Sequence, residues 1–442
     1  MTIQLSDHFN YRKLLRFTLP SIIMMIFTSI YSMVDGLFIS NFVGITPFAA
    51  VNLIFPFIQL VGCVGFMFGT GGSALVSATL GARDHGKANR IFSLLTYATI
   101  VTGVAIATLG IFFIKPIAIR MGADSAMLPY CIIYGRILLV ALPGFMLQIL
   151  FQSFLPTAEK PTLGLIVTLI AGVTNIVLDA LFVVVFQWGV VGAALATALS
   201  QCTGGIIPLI YFFCKNSSLL HLGKACFDGK ALLHACTNGL SELVTNISMS
   251  IVSILYNFQL MRFAGSDGVA ANGAVMYISF AFVAVFLGYS IGVTPVIGFH
   301  YGAANHSELK GLFRKSNVII CTSGLLLATT AFTLAVPMAR LFVGDAPQLL
   351  EMTASAFRYF AISVLFSGFG IFGSAFFTAL NDGFTSAAVS FLRTFVFQIS
   401  AVLILPVFFD LNGVWYSLFV AEILAMLVTF LFYHANRNKY HY

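Results

Sequence analysis

"GARDHGKANRIF" (residues 81–92) and "GAANHSELKGLF" (residues 302–313) are two versions of one segment, and their likeness decides the fold. Gly81 matches Gly302 and Phe92 matches Phe313 at an offset of 221 residues; near the same offset Arg136 meets Arg358 and Gly192 meets Gly413. The chain is a duplication. Outward from each copy the sequence is apolar: 59% of the 442 residues are hydrophobic and 8% are charged, with a mean hydropathy of +0.99. A soluble domain needs about 25% charged residues to cover its surface. The apolar runs extend from Leu14 to Tyr433. They predict an all-α polytopic membrane protein.

A hydrocarbon core of about 30 Å requires roughly 20 helical residues per crossing. Cutting at polar and Gly/Pro punctuation leaves twelve such segments: 14–41, 47–78, 91–114, 129–154, 162–186, 191–213, 233–262, 268–300, 314–337, 353–379, 385–408 and 413–434. Six spans per half is an even number, so both halves enter the membrane in the same orientation. Twelve transmembrane helices in two pseudo-symmetric six-helix bundles follow, parallel repeats about an axis along the membrane normal. The expected divisions are an N-terminal lobe (1–213), a cytoplasmic linker (214–232) and a C-terminal lobe (233–442). With the N-terminus inside, cytoplasmic loops and ends hold fifteen Lys and Arg against four outside. Both termini are therefore expected in the cytoplasm. The net charge of +7 is a topology signal and calls for no nucleic-acid partner. No cleavable signal peptide is expected, because the first apolar segment is too long for one. The seven cysteines form no CxxC and no zinc spacing, and read as small apolar helix residues.

In "NIVLDALFV" (175–183) a carboxylate, Asp179, interrupts a long apolar segment. Such a charge costs roughly 2.5–3.5 kcal/mol on insertion scales, so it is either offset or used. Counting at 1.5 Å per residue places Asp179 roughly 10 Å from the outer end of the fifth span. Asp35 lies roughly 9 Å from the outer end of the first and Thr197 roughly 9 Å from that of the sixth. Asn175 shares a face with Asp179, one turn deeper. Two carboxylates brought together in low dielectric cannot both ionise cheaply, so a proton is held there or a small cation sits among the oxygens. Two readings fit: an ion-coupling site, or a hydrogen-bonded network that locks helices. Asp35 leans to the first, since no basic residue of the first half stands near its depth.

The second half carries a different set. Glu242 is roughly 13 Å from the inner end of the seventh span and Arg393 roughly 12 Å from that of the eleventh. At matching depths these two are expected to pair, with Glu422 of the twelfth span some turns further out. A structural ion pair and a substrate or proton site both suit them. No GxxxxGK[ST] is present, so ATP is not the energy source. No HExxH occurs, and an enzyme is not expected. No cofactor is expected either, only a coupling ion.

The residues resemble the multidrug and toxic compound extrusion (MATE) family over essentially the whole chain. The resemblance rests on Pro20 with Asp35, "GGSALVSATLGARDHGKANR" (71–90), "NIVLDALF" (175–182), "GVVGAALATALSQ" (189–201) and "PVIGFHYGAAN" (295–305), in that order. It implies an antiporter that exports organic, often cationic compounds against inward H⁺ or Na⁺ by alternating access. The positions matching Asp35, Asn175, Asp179 and Thr197 form a polar network in the family. Asp35 would take the proton or cation, and the other three would complete a Na⁺ shell or tune the acid. Some members carry a further acid in the tenth span, absent from 353–379 here; Glu242 resembles their seventh-span acid, and Arg393 an arginine of part of the family. A small organic molecule and the lipid bilayer are the expected partners, in the cell membrane, with a monomer as the working unit. Two other readings are a flippase for lipid-linked sugar or peptidoglycan precursors, and a non-transporting sensor or scaffold. A flippase should bring several cleft arginines to a pyrophosphate, and only Arg393 lies deep.

Overall fold

The computed structural model describes residues 3–224, 226–344 and 347–442, with no β-strand among them. The twelve spans begin with Tyr11–Phe42, Ile45–Gly81, His85–Arg120, Leu128–Thr157, Pro161–Asp179 and Gly189–Phe213. Spans seven and eight form one run, Leu240–Gly302, broken at Gly265 (φ 62°, ψ −149°). His306–Thr333 and Pro347–Ala379 are spans nine and ten. The eleventh starts at Gly383 and breaks from the twelfth at Asp410 (φ 49°, ψ −134°) within Gln398–Tyr440. Span seven starts later than the sequence suggests. Residues Gly229–Asn238 form a separate short helix before it, because the chain turns at Gly239 where that glycine packs on the backbone of Met67. A second short helix, Ala335–Val343, follows span nine.

The duplication is written in the backbone more clearly than in the side chains. Residues of positive φ occur in pairs, Gly44 with Gly265 and Arg83 with Ala304 at an offset of 221, Gly122 with Gly344 and Glu159 with Asn381 at 222. Gln187 and Asp410 are a fifth pair, one residue further apart. Each pair lies at the same helix break of its half, where positive φ interrupts the helical ladder. The quoted segments show how. Asp84 accepts from the Lys87 N–H at 2.9 Å and Asn305 from the Glu308 N–H at 3.2 Å, so equivalent side chains cap spans three and nine. The most buried helices are also equivalent: 78% of the apolar core of span four and 72% of that of span ten are enclosed. Each is the centre of its bundle.

The halves meet at the end that carries the described ends of the chain. Gly81 faces the carbonyl of Phe299, and Gly302 faces that of Ala78, with no room for a Cβ at either. Phe299 and Ala78 are themselves 221 residues apart, so this contact is reciprocal across the pseudo-two-fold axis. Asn238 adds hydrogen bonds to Gly71 O (3.3 Å) and Thr378 O (2.9 Å). Toward the other end, an added Cβ on Gly36 of span one or Gly273 of span eight would meet open space. Packing is tight at one end and loose at the other. Gly81→Val is expected to wedge the tight end apart at a cost of about 1–3 kcal/mol. In a background without native cysteines, thiol labelling of Ser77→Cys, which lies against Gly298, should then rise about tenfold. Unchanged labelling would show that this glycine contact does not hold the end closed.

Candidate ion-coupling site

Spans one, four, five and six build a polar cluster in the N-terminal half. Small residues allow their approach. Gly172 of span five lies against the rings of Phe27 and Tyr31, and Gly192 of span six against the backbone of Phe182. The Ser200 hydroxyl donates to Ala171 O at 2.8 Å, tying span six to span five. At the resulting seam the Thr197 hydroxyl lies 3.3 Å from Asp35 Oδ1 and 3.0 Å from Ala193 O. Asp35 also faces Asp179 and Asn175. The three residues placed at one depth by counting, and Asn175 one turn deeper, are brought together.

Their environments differ. Asp35 is half-buried, whereas Asp179 is 0% and Asn175 1% exposed. Both carboxylate oxygens of Asp179 and both polar atoms of the Asn175 side chain have no hydrogen-bond partner. A buried carboxylate without a donor is costly unless a proton or cation neutralises it. Two carboxyl groups face each other here with no basic side chain between them, and such a pair is stable with a proton on one of them or a small cation between them. The donors are carboxylate, amide and hydroxyl oxygens, which suit a hard monovalent cation. No cluster of three His, Cys, Asp or Glu suited to a metal ion occurs among the described residues.

Asp179 is the last residue of α-helix before a π-helical turn, Ala180–Val185. Such turns leave the hydrogen-bond ladder locally irregular and recur at functional sites. The sequence reading missed Tyr134 of span four. Its hydroxyl is buried and unpartnered, and it stands beside Asp35, Asp179 and Thr197. Depth counting would have found it, since Tyr134 lies six residues into its span, roughly 9 Å deep. Tyr31 and Gln148 border the same cluster.

The second-half residues are arranged differently from the expected Glu242–Arg393 pairing. Arg393, inside a second π-helical turn (Leu392–Phe397), forms a two-pronged pair with Glu422: Nε to Oε2 at 2.9 Å and Nη2 to Oε1 at 3.0 Å. Gln398 reaches Glu422 Oε1 at 3.4 Å. Glu242 instead lies near Cys63 of span two, because span seven starts at Leu240 and places this acid in its first turn. Depth counted from residue 233 put Glu242 too far in. The pair is a closed unit and Glu242 stands apart from it, beside the opposite half.

A duplicated twelve-span helical fold, with a buried carboxylate pair in one half, defines a polytopic membrane transporter. The MatE family model matches residues 20–181 and 243–404, one match in each half. The chain belongs to the MatE family, and it is a transporter, not an enzyme. It is 26% identical over 434 residues to the multidrug export protein MepA of Staphylococcus haemolyticus (strain JCSC1435), covering 97% of this chain and 94% of that protein. MepA of Staphylococcus aureus (strain NCTC 8325 / PS 47) is similar at 26% over 435 residues, with 97% and 94% coverage. The fold matches a solved structure described as the outward-facing conformation of a multidrug resistance MATE family transporter. The TM-score is 0.93 at 24% identity, over 98% of this chain and 97% of that one.

Proposed function

We propose that the protein is a secondary antiporter of the cell membrane, exporting amphipathic organic cations in exchange for H⁺ or Na⁺. The observation that carries this reading is the half-buried Asp35 facing the buried, unpartnered Asp179. A site that must be neutralised by a proton or small cation changes charge as it is filled and emptied, which is what coupling requires. Loading from the outside and unloading to the inside would alternate with substrate bound between the halves. Acidic groups on apolar walls favour aromatic cations, through apolar contact and cation–π attraction. The similarity to the MepA multidrug export proteins supports the same substrate class. By the positive-inside rule the tight end would face the cytoplasm. The lobes 1–213 and 233–442 would move as two bodies about the 214–232 connection, within a single chain.

Efflux of a fluorescent organic cation from cells producing the protein tests this. Dissipating the H⁺ and Na⁺ gradients in turn should stop efflux with one of them and not with the other. Efflux that survives the loss of both gradients would overturn ion coupling. Flip of a lipid-linked pyrophosphate without any movement of the dye would favour the flippase reading.

A further inference from the structure

Residues 3–10 precede the first span and lie across the tight end of the molecule. Leu5 and Phe9 are both 0% exposed. They pack into the apolar cluster of the C-terminal half, together with Leu14 and Phe17 at the start of span one. Phe9 meets Phe17 edge-on at 5.9 Å and the His300 ring at 6.4 Å. Span nine holds the main chain there. Glu308 Oε1 accepts from the Phe9 N–H at 2.9 Å, and its other oxygen lies 2.6 Å from His8 Nδ1. The Lys315 ammonium donates to the Phe9 carbonyl. These contacts tie the segment to the C-terminal half.

Its other anchor is on the N-terminal half. Glu159 occupies the left-handed turn between spans four and five (φ 60°), and its Oε1 accepts from the Leu5 N–H at 2.6 Å. Four residues separate the two anchors, a reach of at most about 14 Å when fully extended. If the tight end parts, Glu308 and Glu159 travel with different bundles. The segment then has to let go at one anchor. On the Glu159 side the chain also runs directly into span one at Tyr11 and Asp7 pairs with Lys13, so the contacts that part are those of Phe9 to Glu308 and Lys315.

We propose that residues 3–10 are a strap that holds the cytoplasmic end closed, and that opening requires release of Phe9 from Glu308 and Lys315. This rests on the alternating-access reading above. Removing the latch then favours the open end without touching the ion site. Loss of one charge-assisted hydrogen bond should raise the open-to-closed ratio about tenfold.

Spin labels at Lys87→Cys and Lys310→Cys, both exposed positions on opposite halves at this end, would report its opening in a background without native cysteines. Distances are compared with and without the organic cation dye and with Na⁺ or acidic pH. Glu308→Ala and Lys315→Ala, which remove separately the acceptor and the donor that hold the Phe9 main chain, should each enlarge the long-distance population. A His8→Cys, Glu308→Cys pair, at positions whose native side chains lie 2.6 Å apart across the halves, bridged by a short bifunctional thiol reagent should fix the short distance and stop dye efflux, while a monofunctional reagent leaves efflux in place. If wild type opens but neither variant shifts the distribution and the bridged pair still transports, the strap is overturned and alternating access stands. If wild type keeps one distance under every condition, alternating access fails and the strap fails with it.

Discussion

Asp35→Asn should reduce gradient-driven efflux to background while leaving the protein folded. The substitution keeps the size of the side chain and the oxygen that the Thr197 hydroxyl approaches at 3.3 Å. It removes the half-buried member of the carboxyl pair. With one acid left, the site no longer has to take up and release a charge from the cleft. In one-for-one exchange of univalent cations the membrane potential cancels, so a tenfold gradient of the coupling ion, about 1.4 kcal/mol, holds a roughly tenfold substrate difference. In the variant that difference should collapse toward unity. Asp179→Asn should lose coupling as well, since Asp179 faces Asp35 and its own oxygens have no protein donor. Dye accumulation in cells and uptake into inverted vesicles with imposed gradients would measure both. Full gradient-driven efflux by Asp35→Asn would sink the assignment of this site.

Glu422→Gln should have the largest effect on stability. It leaves the Arg393 guanidinium without its two-pronged partner in a buried position, where the paired side chains are only 14% and 6% exposed. Breaking a buried pair from one side costs about 3–5 kcal/mol, because an uncompensated charge remains. Replacing both residues with methionine removes the charge as well as the partner and should recover most of the loss. Thermal unfolding in detergent would order the three proteins as wild type, then the double variant close behind, then Glu422→Gln well below. Efflux then separates two roles for the pair. A double variant that is stable and transports shows a structural pair; one that is stable and inactive places Arg393 in the substrate path. Equal stability of Glu422→Gln and wild type would contradict the geometry.

Much of this architecture was legible in the residues because membrane helices obey a one-dimensional rule. Every backbone group must be satisfied within the lipid, so apolar length alone predicts a helix and its crossing. Helical rise turns sequence distance into depth, and that is why Asp35, Asp179 and Thr197 could be set at one level, with Asn175 one turn deeper, before any packing was known. The same rule applied to span four would have added Tyr134. It failed at Glu242, whose depth depends on where the chain bends, and the bend at Gly239 is set by contact with Met67.

The sequence by itself determined the duplication, the twelve crossings and the level of the acidic cluster, through apolar length and helical rise. It did not contain the pairing of side chains. Five matched positive-φ breaks carry the repeat on dissimilar residues, such as Arg83 with Ala304 and Glu159 with Asn381, since backbone geometry is kept where side chains drift. Only the tertiary structure decided that Arg393 takes Glu422 and leaves Glu242 beside the other half. It alone showed which end is shut, and that residues 3–10 lie across it. Depth is a property of one helix, whereas rotation about the helix axis and approach between helices are set by the neighbours it packs against.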